Sequence, residues 1–71
     1  MYCGTCPYCG FTFEHEDRDL VKFELKKHMK EKHREILLSE ASRTRYWELF
    51  GPETTLEWYA GMMAARNIRV C

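Results

Sequence analysis

The sequence predicts a small α+β fold that a metal ion stabilises: a β-hairpin, one long helix and two shorter helices packed on it. Three observations support this prediction. The chain has only 71 residues, too few to bury a large core without a staple. Two cysteines and two histidines stand at metal-ligand spacing. The hydrophobic period lengthens from two residues to about 3.6 near Leu20. We therefore expect residues 1–38 to hold the metal and residues 39–71 to pack on them in a single compact domain.

The first 13 residues predict a β-hairpin, because glycine and proline alternate there with tyrosine, cysteine and phenylalanine. The turn of this hairpin carries Cys6 and Cys9. Phe11 and Phe13 then flank Thr12, as in a strand with one inward face. The hairpin would thus place both thiols in one tight turn.

The long helix is predicted from about Leu20, after an acidic run over residues 14–19 that suits the positive end of a helix dipole. Asp17 or Asp19 would cap it. Its apolar stripe contains Val21, Leu25, His28, Lys32 and Ile36. No stop signal precedes Ser39, so the helix is expected to run well past His33.

Two shorter helices are predicted in the second half. One begins after Ser39 or Ser42 and ends at Gly51-Pro52, where glycine closes it and proline can start the next. The other runs from about Glu53 to Arg66. Thr54 and Glu57 have the spacing of a capping box, and Asn67 suits a left-handed C-terminal cap.

Four residues form the candidate metal site: Cys6, Cys9, His28 and His33, in the pattern C-x2-C-x18-H-x4-H. Two thiolates and two imidazoles are the ligand set of a tetrahedral structural zinc. Cys3 and Cys6 form a second C-x2-C pair, so Cys3 is an alternative to Cys9, and His15 is a third imidazole that could act as a ligand. Four protein ligands leave no open coordination position, which argues against an enzyme.

These residues resemble the two-Cys, two-His zinc finger family, whose fold is a ββα unit. The match includes an aromatic four residues after the second cysteine, Phe13, and a leucine three residues before the first histidine, Leu25. It covers about residues 1–35. The chain departs from the family in having eighteen rather than about twelve residues between Cys9 and His28. A single finger with a helical extension is a pattern of microbial and viral members.

The resemblance implies a DNA-binding function, with the finger helix in the major groove of duplex DNA. The positions that would read bases are Val21, Phe23, Glu24 and Lys27. A basic strip along the helix would contact phosphates, and the candidate DNA contacts are Lys22, Phe23, Lys26, Lys27, Lys30 and Arg34. The leading hypothesis is a small transcriptional regulator. The alternative interpretation of the lysines is a solvated helix face, balanced by Glu24, Glu31 and Glu35.

The competing function is a protein-interaction or architectural adaptor in which the finger is only a staple. The second half is rich in large apolar residues: Tyr46, Trp47, Leu49, Phe50, Leu56, Trp58, Tyr59, Met62 and Met63. Most should be core, and the remainder would form a homodimer or partner interface, where Trp, Tyr and Met are enriched.

Charge and cysteine usage suggest an intracellular protein. Net charge is zero, but residues 14–19 carry −3 and residues 20–35 carry +3. No secretory signal is expected and the apolar runs are too short for a membrane span, so we expect no membrane partner. We also expect no small-molecule substrate. We expect the cytoplasm, nucleoid or nucleus, or the host cell for a viral protein. Cys3 and Cys71 are expected to be free thiols, with a disulfide as the alternative.

Overall fold

The structure is a computed structural model that describes residues 1–71. Its element order is β1 (Tyr2–Thr5), β2 (Thr12–His15), α1 (Arg18–Lys32), α2 (Arg34–Ser42), α3 (Tyr46–Arg66) and β3 (Ile68–Val70). The strands form one antiparallel sheet in the order β2-β1-β3. The small α+β class is therefore confirmed, with one correction. The expected hairpin is part of a three-stranded sheet, because the chain returns after α3 and pairs its last residues with β1.

The hairpin prediction is confirmed, and Gly4 explains how closely it packs on the helices. Gly4 lies opposite Phe13 in β2 and opposite Ile68 in β3. A Cβ atom on Gly4 would lie 2.8 Å from Val21 Cγ1. Strand β2 continues to His15, beyond the expected end. Cys9 and His28 are separated by six more residues than the about twelve of the zinc finger pattern. A longer β2 and an earlier start of α1 contain most of these additional residues.

Helix α1 begins at Arg18, slightly before the predicted start near Leu20, and ends earlier than predicted. Asp17 is its N-cap, and the side chain accepts a hydrogen bond from the Asp19 N–H at 2.9 Å. The expected continuous helix past His33 is wrong. His33 has φ −128° and ψ 32°, outside the helical region, and α2 starts at the next residue. This interruption of the helix turns the imidazole of His33 toward the same point as the imidazole of His28.

Helix α3 contains the break that Gly51-Pro52 predicted. Gly51 has φ 82° and ψ 169°, so residues 46–50 form a helical turn at an angle to the long segment that follows. The capping box is wrong, since the Glu57 carboxylate pairs with Lys26 and Lys30. The left-handed cap is also wrong. Asn67 has φ −110°, and its side-chain amide donates to the Met63 carbonyl at 2.7 Å.

One hydrophobic core joins the two halves of the chain. Its buried members come from the turn between β1 and β2, which carries Cys6 and Cys9 and is called the metal turn below, and from α1, α2 and α3. They are Cys6, Leu25, Met29, Leu37, Leu56, Ala60 and Ala64. Helix α1 lies between the sheet and α3, so α1 is the central element and does not project from the molecule. None of the helices is both long enough and apolar enough to cross a membrane.

The ends of the chain are joined by a disulfide between Cys3 and Cys71, whose Cα atoms are 5.9 Å apart. The expectation of two free thiols is therefore wrong. Cys6 and Cys9 are the free cysteines. The pairing depends on β3, which brings the C-terminal residue beside β1.

Candidate metal centre

Cys6, Cys9, His28 and His33 converge on one point, as the spacing predicted. Their sulfur and nitrogen ligand atoms all lie within 4.8 Å of one another. Cys9 Sγ and His28 Nε2 are 3.2 Å apart. Tetrahedral zinc with bonds of about 2.0–2.3 Å would separate its ligand atoms by roughly 3.3–3.8 Å. The four residues can thus hold one metal ion with small side-chain adjustments.

The turn that carries the cysteines is built by backbone hydrogen bonds. The Cys6 N–H donates to the Phe11 carbonyl at 2.7 Å, and the Gly10 N–H donates to the Cys6 carbonyl at 2.9 Å. Gly10 has φ 80°, which only glycine adopts without strain. The result is a closed loop that holds both sulfurs on one side, with Cys6 buried and Cys9 exposed.

The two histidines reach the site from different backbone settings. His28 lies on α1, and the Phe11 ring stacks on its imidazole at 4.3 Å between centroids. His33 lies in the break between α1 and α2. Its Nε2 is buried and has no hydrogen-bond partner. A buried polar atom without a partner is costly, so a metal at this position would satisfy the one orphaned group of the site.

Burial also shifts the proton affinities of two ligands. It lowers the pKa of His28, and the neighbouring His33 lowers it further. The imidazole is therefore neutral at neutral pH and has a free lone pair for a metal. Burial raises the pKa of the Cys6 thiol. Without a cation this sulfur keeps its proton, and metal binding must displace it.

The alternative ligands are not at the site. Cys3 is joined to Cys71, so it does not replace Cys9. His15 accepts a hydrogen bond from the Asp17 N–H at 2.9 Å and belongs to the start of α1. The set Cys6, Cys9, His28 and His33 remains.

Sequence reasoning missed the carboxylate that ties the metal turn to the helices. Glu40 on α2 accepts from the Tyr8 hydroxyl at 2.9 Å and from the Tyr59 hydroxyl at 2.8 Å. Burial is the largest cause that raises the pKa of both tyrosines above the usual value, and the hydrogen bond to Glu40 is the second cause. No local signal could have found this arrangement, because the three residues are far apart in sequence.

The candidate DNA contacts lie along α1 and at the start of α2, and half of them are engaged within the molecule. Lys26 and Lys30 both form ion pairs with Glu57 of α3. Arg34 pairs with Glu53 at 3.3 Å. The other three candidates, Lys22, Phe23 and Lys27, form no ion pair. Of the four positions expected to read bases, Val21 is fully buried against the sheet.

Comparison of the chain with protein-family models, with curated proteins and with solved structures finds no match. The class that the fold and the site define is therefore a small α+β protein with a three-stranded sheet, three helices and a candidate metal centre of two cysteines and two histidines.

Proposed function

We propose that this chain is a zinc-stabilised adaptor that binds a short segment of another protein in an aromatic groove at the bend of α3. We infer that the metal is Zn²⁺, since two thiolates and two imidazoles in a closed tetrahedral set suit zinc best. The ββα finger then serves as a structural staple.

The observation that carries this proposal is the groove itself. It has a volume of about 270 Å³ and is lined by Tyr46, Phe50, Thr54, Thr55 and Trp58. The Tyr46 ring contacts Trp58 edge-on at 4.7 Å and stacks on Phe50 at 6.0 Å. The Thr55 hydroxyl donates to the Tyr46 carbonyl at 2.9 Å and fixes the bend. These contacts form a concave apolar site before any partner arrives.

The groove and its rim leave large side chains in solvent. The exposed fractions are 68% for Leu49, 58% for Phe50, 44% for Trp58 and 39% for Tyr46. Four such side chains offer roughly 400 Å² of apolar surface, taking about 200 Å² for each when fully exposed. A standard interface needs about 800 Å² per partner. The patch thus fits a peptide segment with one bulky apolar anchor better than a globular surface.

Arg43 and Arg45 outnumber Glu48 in the segment that flanks the groove, and this net positive charge favours an acidic partner segment. Arg43 and Arg45 lie in the turn that leads into α3, and neither has an ion-pair partner. Glu53, at the far side of the bend, is already paired with Arg34. An apolar anchor flanked by carboxylates would therefore place its charges near unpaired guanidinium groups.

Selection from a library of displayed peptides tests the proposal. The zinc-loaded protein should enrich peptides that share an aromatic or aliphatic anchor next to acidic residues. Trp58→Ala should weaken their binding at least tenfold, since an aromatic anchor site is a typical hot spot. Ile36→Ala, on the exposed side of α2, is the matched control and should bind normally. Enrichment of peptides that bind Trp58→Ala equally well would rule out the groove.

DNA binding remains a second candidate, favoured by Lys22 and Lys27. These two lysines of α1 have no carboxylate within ion-pair distance, and Phe23 beside them is exposed. They support phosphate contact more than base reading.

A mobility shift with duplex DNA at low salt tests this candidate. The double variant Lys22→Glu/Lys27→Glu should abolish any shift and keep the fold, because neither lysine holds an internal pair. Arg66→Glu, an exposed change on α3, is the control. Absence of a shift for the unaltered protein at micromolar concentration and low salt would reject DNA binding.

A further inference from the structure

We propose that Cys3, Cys71 and Glu14 form a second, redox-controlled metal site, closed as a disulfide when oxidised and able to bind a divalent ion such as Zn²⁺ when reduced. The Sγ atoms of the two cysteines and a carboxylate oxygen of Glu14 lie within 4.8 Å of one another. This cluster shares no residue with the centre formed by Cys6, Cys9, His28 and His33.

The strand register explains why these three groups meet. Cys3 lies directly opposite Glu14 of β2 and directly opposite Arg69 of β3. Directly opposed residues share a face of the sheet, and Cys71 follows two residues after Arg69, on the same face. The Cys71 N–H donates to the Met1 carbonyl at 3.2 Å, which holds the C-terminal residue beside this end of β1.

The groups around the cluster leave room for a cation. Arg69 is the only basic side chain among the residues that lie opposite one another across the three strands here, Glu14, Cys3 and Arg69. Its guanidinium donates to the Thr5 hydroxyl at 3.3 Å. Thr5 lies on the opposite side of Cys3 from Cys71 along the strands, so the guanidinium is directed away from the cluster. Glu14 forms no ion pair, and its carboxylate is thus free to act as a ligand.

Two thiolates and one carboxylate supply three of the four ligands of a tetrahedral zinc, with water for the fourth. Because the site contains a water position, it would exchange its metal more readily than the closed four-residue centre. Cys3 is buried while Cys71 is exposed. A reductant therefore reaches the pair through Cys71.

The switch between the two forms is a two-electron step. A thiolate of a dithiol reductant attacks Cys71 Sγ, and the bond between Cys71 Sγ and Cys3 Sγ breaks. The second thiol of the reductant then attacks the mixed disulfide and releases Cys71. The reductant is oxidised to its own disulfide, and Cys3 and Cys71 become thiols with the two protons that it supplied. Metal binding then releases both thiol protons.

Native mass spectrometry of the full chain, after loading with Zn²⁺, counts the ions in each form. A trialkylphosphine is the reductant in this test, since a dithiol would chelate zinc. The disulfide oxidises the phosphine to its oxide, and one water molecule supplies the oxygen atom of the oxide and the protons of the two new thiols. We expect two ions per chain in the reduced protein and one in the oxidised protein. One ion in both forms would overturn the proposal, and so would two in both forms, because the second ion would then lie elsewhere.

Variants separate the cluster from other sites. Cys71→Ser should hold one ion under either condition. Glu14→Gln should keep the disulfide but weaken the second ion about tenfold or more in the reduced protein, which corresponds to about 1.4 kcal/mol. Glu16→Gln, an exposed carboxylate outside the cluster, is the matched control. Equal affinity of Glu14→Gln and the unaltered protein for the second ion would exclude the three-ligand site.

Discussion

At the scale of single residues, His33 determines how the histidine pair is used. Five residues of an ideal α-helix turn through about 500°, which would leave His33 about 140° away from His28 around the axis. The non-helical backbone at His33 removes this mismatch and turns the imidazole toward the cysteines. The same turn buries Nε2 without a protein partner, and a metal ion bound at the site would satisfy this atom.

Replacement of His33 by alanine should therefore reduce zinc affinity by more than the roughly 100-fold that outer-shell partners of metal sites are worth. Competition with a chromophoric chelator measures this loss. His15→Ala is the control, because His15 lies outside the cluster and should leave zinc affinity unchanged. Equal affinity of His33→Ala and the unaltered protein would contradict the ligand assignment.

Gly4 is the second residue with a sharp structural demand. An added Cβ would lie 2.8 Å from Val21 Cγ1 and 3.3 Å from Leu25 Cδ2, both in the buried core. Gly4→Ala should lower the free energy of unfolding by about 1–3 kcal/mol through overpacking.

Gly61→Ala is the matched control, because the new Cβ would have room: its nearest atom, Lys22 Cε, would be 4.0 Å away. This change within α3 should raise the free energy of unfolding by about 0.5–1 kcal/mol. Urea denaturation of the zinc-loaded variants measures both effects. Equal stability of the two variants would show that the strand does not approach α1 so closely.

At the scale of elements, Glu40 links the metal turn to α2 and α3. Its carboxylate accepts from Tyr8 in the turn and from Tyr59 on α3. Hydrogen bonds to charged groups contribute about 1.5–3 kcal/mol each, and partial exposure reduces that value. Glu40→Ala should lower the free energy of unfolding by about 2 kcal/mol. Glu35→Ala, an exposed change on the same helix, should have little effect in the same thermal or urea measurement.

The tyrosine pair also predicts an alkaline limit to stability. Burial and Glu40 raise the pKa of Tyr8 and Tyr59 in the folded protein above the unfolded value, which is about 10. A raised pKa stabilises the fold fully below about pH 10, and this contribution is lost as pH rises toward the folded pKa. The free energy of unfolding should thus fall above pH 10, and Tyr8 and Tyr59 should form tyrosinate at a higher pH in the folded protein than in the unfolded chain. Absorbance titration of variants that keep only these two tyrosines measures this, and equal titration in the folded and unfolded states would disprove the shift.

At the scale of the whole molecule, the candidate metal centre and the hydrophobic core share a residue. Cys6 belongs to the candidate centre and is also a buried member of the core that α1, α2 and α3 share. A structural zinc contributes roughly 10–16 kcal/mol of apparent binding free energy in finger peptides, against a typical total stability of about 5–15 kcal/mol.

Removal of zinc by a chelator should therefore unfold residues 39–71 together with the finger. Helicity by circular dichroism and tryptophan fluorescence should be lost in one coincident transition. A control with chelator presaturated with zinc should leave both signals intact. Persistent helicity in the second half after zinc loss would indicate two independent units.

Local patterns predicted much of this protein because local chemistry determines them. The spacing of Cys6, Cys9, His28 and His33 identified the metal ligands, and Asp17 and Gly51 marked a helix start and a bend. Competition from distant residues explains the wrong capping box. Glu57 pairs with two lysines of α1 instead of capping its own helix, because α3 packs beside α1.

The sequence by itself determined the candidate ligand set, the hairpin and the bend at Gly51-Pro52, since each depends on residue types at short separations. Only the tertiary structure decided which side chains of these elements are buried, paired or left exposed to solvent. Packing of α3 on α1 paired Lys26 and Lys30 with Glu57, and packing of the sheet on α1 buried Val21. Return of the chain to the sheet as β3 placed Cys71 beside Cys3, 68 residues away. Such contacts depend on which faces meet, and no periodicity or spacing in one sequence encodes that choice locally.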